Sequence, residues 1–452
     1  MRMRHLIPLL LVPGLLGSAQ ANPYETTLKN GLRVIVKEDR RAPTAAQMVW
    51  YRIGSMDEVD GASGVAHVLE HMMFKGTPTV GAGEFNKRVA AAGGRDNAFT
   101  SRDYTAYFQQ VPNEKLPEMM QLEADRMRHL NVAPEEFAQE IKVVMEERRM
   151  RTDDNPQSKL FEQMNAVAFQ AHPYRRPIIG WMNDLENMSA ADAKAWYDTW
   201  YVPNNAYVVI TGDVDHKEVF ALAEKYYGPL EGRALPSRKP QTEPAQDGTR
   251  RVNVKAPAEL PVLIMGYKAP VLRDADKDSD PYALTMLAAI LDGHDAARFN
   301  KKLVREDKVA LSVGIDYDST ARGPGMIYLH GSPSEGRTIA ELEAALRAEI
   351  TRIQQEGVSE KELKRAKAQL VASQVYKLDS MFGQAMEIGQ TEAAGIPYQK
   401  IDHMLDKLQQ VSAAEVQAVA KKYFNDDTLT IGVLEPQPLD GKPRRAAVAA
   451  RH

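Results

Sequence analysis

Short strand-like runs and longer helical runs follow one another along the chain. Alternating apolar and polar positions at 26–39 (TTLKNGLRVIVKED) predict a β-hairpin around an Asn-Gly turn, and residues 47–54 (QMVWYRIG) predict a further strand. Apolar residues at helical spacing predict helices at 63–76, with Ser63 as the N-cap, and at 134–152. Because strands and helices are interspersed without a regular βαβ alternation, the predicted fold class is α+β.

The same succession of patterns occurs twice. Residues 196–214 (WYDTWYVPNNAYVVITGDV) and 420–436 (AKKYFNDDTLTIGVLEP) each contain a helix end, an aromatic residue, a polar turn and an apolar strand. The segment EFNKRV at 84–89 is echoed by RFNKKL at 298–303. Two echoes in the same order predict two homologous α+β domains that arose from one duplicated unit.

A segment without hydrophobic period separates the two halves. It is rich in Pro, Lys, Arg, Gln and Thr, which is typical of a linker. The chain is therefore predicted to consist of a signal peptide at 1–21, an N-terminal domain at 22–235, a linker at 236–256, a homologous C-terminal domain at 257–437 and a loose tail at 438–452.

The first 21 residues have the features of an export signal. Arg2 and Arg4 precede an apolar run at 6–16, and Ala19 and Ala21 supply the small residues of a cleavage site. The apolar run is about half of the roughly 20 residues that a membrane-spanning helix needs. We therefore expect cleavage after Ala21, no stable membrane span, and a periplasmic or secreted protein.

Composition and charge narrow the classes of function. With 452 residues, 44% hydrophobic and 26% charged, the chain resembles an ordinary soluble protein of two or three domains. Its net charge is −4, and loss of Arg2 and Arg4 with the signal leaves 55 basic against 61 acidic residues, or −6. A mildly acidic chain without a basic block is a poor nucleic-acid binder. Because the chain has no cysteine, a transition metal must be bound by His, Asp or Glu.

The sequence HVLEH within the helix at 63–76 has the spacing of a zinc site. His67 and His71 are four residues apart, so their imidazoles project from one helical face one turn apart and can reach one zinc ion. Glu70 lies beside that face and could take a proton from a zinc-activated water. The order is inverted relative to HExxH and matches the inverzincin pattern. Apolar neighbours leave this helix no clean solvent-facing side, which favours a metal site over a solvated polar face.

A catalytic zinc ion needs a third protein ligand, and the helix at 134–152 offers three carboxylates. Glu140 and Glu147 are two turns apart and share a face, whereas Glu146 is rotated away by roughly 100°. One member of the Glu140/Glu147 pair can complete the metal site, and the other can hydrogen-bond a ligand imidazole. The spacing alone does not decide between them.

Three segments together resemble a known peptidase family. HVLEHMMFKGT at 67–77, GGRDNAFTSRDYTAYFQQVP at 93–112 and EIKVVMEERR at 140–149 are similar to the inverted zincins of the pitrilysin, insulysin and mitochondrial processing peptidase type. The resemblance covers essentially the whole mature chain and includes its duplicated halves. The length resembles the short, processing-peptidase-like branch, in which one chain supplies two of four homologous domains.

The resemblance assigns a role to individual residues of the first domain. It implies one Zn²⁺ per chain, held by His67, His71 and Glu147, with Glu70 as the general base and Glu140 hydrogen-bonded behind the ligands. It further implies that an edge strand binds the substrate backbone, and that strand comprises Asn97, Ala98, Phe99 and Thr100. An exposed edge has unpaired N–H and C=O groups that an extended peptide can join whatever its sequence.

The second half lacks the zinc motif. When the two halves are aligned on the EFNKRV echo, the positions of His67, Glu70, His71 and Asn97 are occupied by Pro281, Leu284, Thr285 and Leu311. The N-terminal domain is therefore predicted to be catalytic and the C-terminal domain non-catalytic.

The family's C-terminal half usually carries an Arg and a Tyr that assist the substrate carbonyl. Arg298 matches the Arg position and is a predicted substrate-binding residue, but Leu311 stands at the Tyr position and cannot donate a hydrogen bond. Tyr317 is a neighbouring candidate. In two-chain relatives one chain carries the zinc motif and the partner carries the Arg/Tyr pair. The resemblance therefore implies a dimer, with a homologous zinc-less chain as the expected partner.

The predicted function is a zinc-dependent endopeptidase that hydrolyses peptides or unfolded segments through a metal-activated water. A non-catalytic peptide-binding or scaffold subunit of the same fold is the alternative, because some relatives have lost the zinc motif. The intact HVLEH sequence and Glu147 favour the enzyme. A metal-dependent hydrolase of a non-peptide substrate is disfavoured by the predicted peptide-binding strand.

Overall fold

The computed structural model describes residues 22–439. The predicted signal peptide at 1–21, and all but the first two residues of the predicted tail at 438–452, lie outside the described residues. No helix in the described part of the chain is both long enough and apolar enough to cross a membrane.

The strands of the described residues form two mixed sheets. They are β1 (Tyr24–Thr27), β2 (Arg33–Glu38), β3 (Thr44–Tyr51), β4 (Arg95–Thr100), β5 (Thr105–Pro112), β6 (Ala206–Gly212), β7 (Arg250–Pro257), β8 (Val262–Ala269), β9 (Ala310–Tyr317), β10 (Gly325–Pro333) and β11 (Leu429–Gln437). The first sheet has the order β1-β2-β6-β3-β5-β4, and the second has the order β7-β11-β8-β10-β9.

Fourteen α-helices of the described residues cover these sheets. They are α1 (Val65–Met72), α2 (Glu84–Ala91), α3 (Leu116–His129), α4 (Pro134–Arg148), α5 (Pro156–Ala168), α6 (Met182–Asn187), α7 (Ala190–Trp200), α8 (His216–Tyr226), α9 (Asp280–Asp292), α10 (Ile339–Glu356), α11 (Glu360–Asp379), α12 (Met381–Ala393), α13 (Ile401–Gln410) and α14 (Ala413–Tyr423). Two π-helical segments, Arg149–Asp153 and Asn300–Glu306, follow α4 and α9.

Five strands of the first sheet have the same order and pairing as the five strands of the second, and the first sheet has one additional strand, β1. In each, a parallel pair (β2 with β6, β7 with β11) is followed by antiparallel pairings through the next strands to the edge strand, which is β4 in the first sheet and β9 in the second. The helices that follow the edge hairpins also correspond, α3 with α10 and α4 with α11. The predicted α+β class and the predicted pair of homologous domains are therefore confirmed.

Each sheet is covered on one face by a helix from the other half. Alternate residues of a strand face opposite sides of its sheet. In β3, Val49 and Tyr51 pack among the first half's own helices, whereas Met48 and Trp50 pack against α12. In the second sheet, Ile264 of β8 and its neighbours pack in the same way against α5. This exchange of α5 and α12 joins the halves through apolar contacts.

Two local predictions are wrong. Ser63 does not cap α1: the N-cap is Gly64, whose φ of 90° turns the chain so that the Ser63 hydroxyl donates to Asp184 instead (2.5 Å). The last part of the segment predicted as a linker is a strand, because β7 begins at Arg250 and pairs with β11. Its alternation of three apolar residues with polar ones is short and is flanked by charges, so the composition obscured it. The predicted hairpin at 26–39 is confirmed by the antiparallel pair β1 and β2.

Candidate metal centre

His67 and His71 of α1 lie one turn apart on a face that is buried beneath α4. Both are only 7% exposed, and their ring centroids are 4.8 Å apart. Helix α1 is short and strongly apolar, so Val68, Leu69 and Met72 fix its other faces in the core of the first half. The apolar core of the first half therefore determines the position of the helix that carries the two imidazoles.

Glu147 of α4 faces both imidazoles. Its Oε2 lies 3.6 Å from His67 Nε2 and 3.4 Å from His71 Nε2. Two atoms that are each about 2.1 Å from a tetrahedral zinc ion lie roughly 3.4 Å apart, so these separations fit a shared zinc ion. The three residues are all buried and form a group that could hold a metal ion. Donor type and spacing thus suit Zn²⁺, with Glu147 rather than Glu140 as the third member.

Glu140 lies one layer behind this group. Its Oε1 is 2.9 Å from His71 Nδ1, and its Oε2 forms an ion pair with Lys75. A carboxylate that accepts from Nδ1–H favours the tautomer in which the lone pair for a metal ion is on Nε2. The structure thus places Glu147 beside both Nε2 atoms and Glu140 beside Nδ1 of His71, a distinction that the spacing alone left open.

The charges of the group depend on one another. Burial opposes protonation of His71, but the hydrogen bonds and charges of Glu140, Glu147 and Glu70 outweigh burial and raise its pKa to about 9. Burial favours the neutral form of Glu147, yet His71, His67 and Arg151 hold its pKa at about 2. Arg151 contacts the other carboxylate oxygen, with Nη1 2.6 Å from Oε1. The raised pKa of His71 and the lowered pKa of Glu147 thus have a common cause, the attraction between the imidazole and carboxylate groups.

Glu70 lies at the same cavity but has different partners. Burial raises its pKa, and the Thr100 hydroxyl, which donates to Oε2 at 2.5 Å, partly offsets that shift. Thr100 is the last residue of β4, so the predicted base and the predicted substrate strand are in direct contact.

Two acidic residues that the sequence reasoning missed hold the start of α1. Glu58 is 3% exposed and accepts from the backbone amides of Gly64 (2.9 Å) and Ala66 (3.0 Å). Asp184 accepts from both the amide and the hydroxyl of Ser63. Both carboxylates come from outside the helix, so no local capping signal could have revealed them.

The predicted substrate residues of β4 line a cavity of about 830 Å³ beside His67, Glu70, His71 and Glu147. β4 pairs with β5 on one side and is the terminal strand of its sheet. Asn97, Ala98, Phe99 and Thr100 all lie on this wall. The structure thus brings the predicted base, ligands and edge strand together at one cavity.

The opposite wall comes from the second half. Ser312 and Asp316 of β9 and Tyr328 and His330 of β10 line it. His330 Nε2 lies 3.0 Å from Asp316 Oδ2, and the Tyr328 hydroxyl donates to Asn165 of α5 (2.9 Å). The sequence reasoning missed these residues, because an isolated His and Tyr in a strand carry no spacing signal.

Arg298, Leu311 and Tyr317, at or near the positions of the family's Arg/Tyr pair, do not line the cavity of the metal centre. Arg298 is not on the cavity wall: its guanidinium is bound by Glu362, at 2.6 Å from Nε, and by the Gly357 carbonyl. Leu311 is 56% exposed at the second edge strand. The Tyr317 hydroxyl donates to the Pro270 carbonyl (2.5 Å). The structure gives no support to Arg298 as a substrate contact or to Tyr317 as its companion.

Comparisons with known proteins agree with this geometry. Residues 33–181 match the family described as Insulinase (Peptidase family M16), and residues 187–370 match the Peptidase M16 inactive domain. The zinc protease PqqE of Helicobacter pylori is 31% identical to 91% of this chain, over 92% of its own length.

Two solved structures are similar over most of the chain. A protease from Helicobacter pylori superposes with a TM-score of 0.87 at 30% identity, covering 92% of this chain and 100% of that one. The periplasmic protease PqqL from Escherichia coli superposes with a TM-score of 0.79 at 19% identity, and this chain spans 48% of it.

Fold and site together define an inverted-zincin peptidase in which the first domain carries the His-His-Glu group and the second domain matches the family's inactive domain. The chain belongs to peptidase family M16, the insulinase family. All residues of the buried His-His-Glu group lie in the matched segment 33–181, and the second matched segment is the one described as inactive. The predicted family and the predicted peptidase class are confirmed.

Proposed function

We propose that this chain is a zinc-dependent endopeptidase that hydrolyses peptides and unfolded segments. The observation that carries the proposal is the contact between three groups at one cavity: the buried His67, His71 and Glu147, the separate carboxylate of Glu70, and the edge strand β4. A scaffold subunit would need none of these to be buried together, because removing several titratable groups from water is costly even when they are paired.

The roles of the residues follow from their surroundings. His67, His71 and Glu147 would hold one Zn²⁺, and Glu140 would keep His71 in the required tautomer. Zinc held there supplies Lewis acidity, which polarises a carbonyl group and lowers the pKa of water. Glu70 is the buried carboxylate that takes the proton of the attacking water and returns it to the departing amine.

β4 would bind the substrate as an added strand. At this edge of the sheet, the backbone N–H and C=O groups of residues 97–100 can hydrogen-bond an extended peptide. Binding would therefore depend little on the substrate sequence. A cavity of about 830 Å³ between the two halves holds only a short extended segment. Peptides and unfolded segments can enter in that form, whereas the strands of a folded protein are already paired.

The chain is further proposed to act as the zinc-bearing member of a two-chain enzyme. Leu311 stands where a hydrogen-bond donor is expected, and Arg298 is occupied by Glu362. The chain also spans about half of the similar PqqL chain, so a second chain of this fold would make up the difference. A pure homo-oligomer with full peptidase turnover would exclude the need for a partner chain.

Export to the periplasm or beyond remains a proposal from the sequence at 1–21. It predicts that the protein recovered from cells begins at Asn22, which sequencing of the N-terminus would show. A recovered protein that still begins at Met1 would exclude cleavage after Ala21.

The function is tested with a quenched fluorescent peptide library and the purified mature chain. We expect cleavage that a chelator abolishes and added zinc restores. A folded, zinc-loaded chain that cleaves no peptide, either alone or mixed with homologous zinc-less chains, would refute the proposal. Cleavage that persists after complete removal of metal would also refute it.

A further inference from the structure

A second cavity, lined by arginines, lies where the halves meet. It measures about 480 Å³ and shares no lining residue with the cavity of the metal centre. Arg33 and Arg52 belong to the first half, Arg238 to the segment that connects the halves, and Arg273 and Arg322 to the second half. The C-terminal end of α12 and the loop after it close the remaining side. Three separate parts of the chain thus direct positive charge to one space.

Carboxylates neutralise these arginines only in part. Glu392, the one acidic residue on the wall of this cavity, contacts Arg33 (2.5 Å) and lies 3.7 Å from Arg52. Behind the wall, Glu25 pairs with Arg33, at 2.8 Å from its Nε. These two carboxylates serve the arginines of the first half.

Asp57 serves the other side of the cavity. It pairs with Arg322 (2.9 Å) and also with Arg238 (3.1 Å), so one carboxylate is shared by two guanidinium groups. Asp103 contacts Arg322 through the backbone amide of that residue and accepts the hydroxyl of Tyr174. Five guanidinium groups therefore lie near four carboxylates, Glu25, Asp57, Asp103 and Glu392, which leaves an excess of one positive charge.

Two of the arginines, Arg52 and Arg273, have the weakest contacts with carboxylates. The Nε of Arg52 is buried and makes no hydrogen bond within the described residues. Arg273 donates to the backbone carbonyls of Ala321, Arg322 and Gly323, which carry no net charge. Burial lowers the pKa of Arg238, Asp57 opposes that shift, and the charges of Arg322 and Arg52 add to it. A cluster of this kind is electrostatically incomplete without an anion.

We propose that the arginine-lined cavity binds a small, multiply charged oxyanion of the phosphate class. Guanidinium groups present paired N–H donors that match the oxygen atoms of a phosphate, and several can bind one anion from different sides. Because the five arginines come from both halves and from the connecting segment, the bound anion bridges them. Such a ligand stabilises the contact between the halves, and its cavity shares no lining residue with the cavity of the metal centre.

The test measures binding of inorganic phosphate and of pyrophosphate to the full mature chain by calorimetry at fixed ionic strength. We expect saturable binding of pyrophosphate at one site and a rise in the Tm of the chain. Arg52→Gln should weaken that binding roughly tenfold or more, because a charge-assisted contact is lost. Arg337→Gln removes an exposed arginine of the second half and should leave binding within about twofold.

Further variants separate this site from zinc and from misfolding. Pyrophosphate can also bind zinc, so binding must persist in the His67→Ala chain, which lacks a predicted ligand. Arg52→Lys keeps the charge but loses the paired donors; it should bind more weakly than wild type and keep its Tm. The proposal is overturned if pyrophosphate binding is absent, if Arg52→Gln and Arg337→Gln behave alike, or if only an acidic peptide binds. None of these readouts depends on peptidase activity.

Discussion

At the scale of a single residue, two opposing effects act on the pKa of Glu70. Burial raises its pKa, which favours the proton-carrying form, whereas the Thr100 hydroxyl donates to the carboxylate and favours the charged form. A general base and acid works best when both forms are accessible near the working pH. If Glu70 is the base, as proposed, its contact with Thr100 couples proton transfer to the strand proposed to bind the substrate.

Replacement of Glu70 tests its role. Glu70→Gln keeps the size and the contact with Thr100 but cannot accept a proton, so turnover should fall by about 10²–10⁴-fold. Zinc content, measured by atomic emission, should remain near one per chain. His67→Ala serves as the comparison and should lose zinc and activity together. Retained turnover in the Gln variant would remove Glu70 from the role of base.

The raised pKa of His71 predicts that zinc binding releases a proton. Its pKa in the metal-free chain is about 9, above the ordinary 6.5, so below pH 9 the ring must lose a proton before it can bind a metal. Zinc affinity should therefore rise with pH up to about 9. The carboxylates that raise the pKa of His71 also stabilise the folded chain when this imidazole is protonated. Without zinc, that stabilisation is complete below pH 6.5 and is lost as the pH rises through about 9.

The number of protons released is measurable. At pH 7.5 the binding enthalpy of zinc, plotted against the ionisation enthalpy of several buffers, should give close to one proton from His71. Glu140→Gln removes the carboxylate that accepts from His71 Nδ1, so fewer protons should be released and zinc affinity should fall by about 10–100-fold. Identical proton release in both chains would contradict this account of the His71 pKa.

At the scale of an element, α1 begins in an unusual way. Its N-cap is a glycine without a side chain, and the amides of Gly64 and Ala66 are accepted by Glu58, which precedes the helix by a short loop. An acceptor at this end also matches the positive end of the helix dipole. The two proposed zinc ligands, His67 and His71, lie in the first two turns, so this cap helps to determine where the imidazoles are held.

The same helix shows what sequence patterns can and cannot predict. The i, i+4 spacing of His67 and His71 fixes their common face, because helical geometry is local. The choice of Glu147 over Glu140 depends on how α4 crosses α1, and the replacement of Ser63 by Glu58 as the cap depends on a loop conformation. Neither contact is encoded within a short window of sequence.

Removal of the cap should weaken α1. Glu58→Ala leaves two buried amides without an acceptor and should lower the free energy of unfolding by about 1–3 kcal/mol, with weaker zinc binding. Glu58→Gln keeps one acceptor oxygen and should cost less. Glu84→Ala is the control, since Glu84 accepts the Gly81 amide before α2 at an exposed site. Urea unfolding in which Glu58→Ala and Glu84→Ala cost the same would contradict the special role of Glu58.

At the scale of the whole molecule, the duplicated halves are interlocked. Helix α12 of the second half covers the first sheet, and α5 of the first half covers the second sheet. The sequence echoes predicted the duplication, because repeated patterns are local features. They could not predict this exchange, nor that Arg298 would pair with Glu362 rather than face the cavity. Both depend on the packing of distant segments.

This interlock includes a close approach between a glycine of α12 and a tryptophan of the first sheet. A Cβ added at Gly389 would lie 2.0 Å from the Trp50 ring, and the Gly389 carbonyl accepts from the Tyr207 hydroxyl at 2.7 Å. Trp50 is fully buried and stacks on Tyr207, so neither ring has room to withdraw. Only glycine lets α12 come this close to the sheet.

Gly389→Ala should therefore separate the two halves locally, although alanine is the better helix former. We expect a loss of about 1–3 kcal/mol of stability from overpacking, seen as a lower urea midpoint and a changed Trp fluorescence. Gly81→Ala is the matched control: its added Cβ meets only the Glu84 carboxylate, at 3.4 Å, and should be nearly neutral. Because the second half supplies one wall of the cavity beside the metal centre, peptide cleavage should fall in Gly389→Ala while zinc content is retained. If Gly389→Ala were as stable and as active as Gly81→Ala, the tight contact between α12 and the first sheet would not be what holds that wall in place.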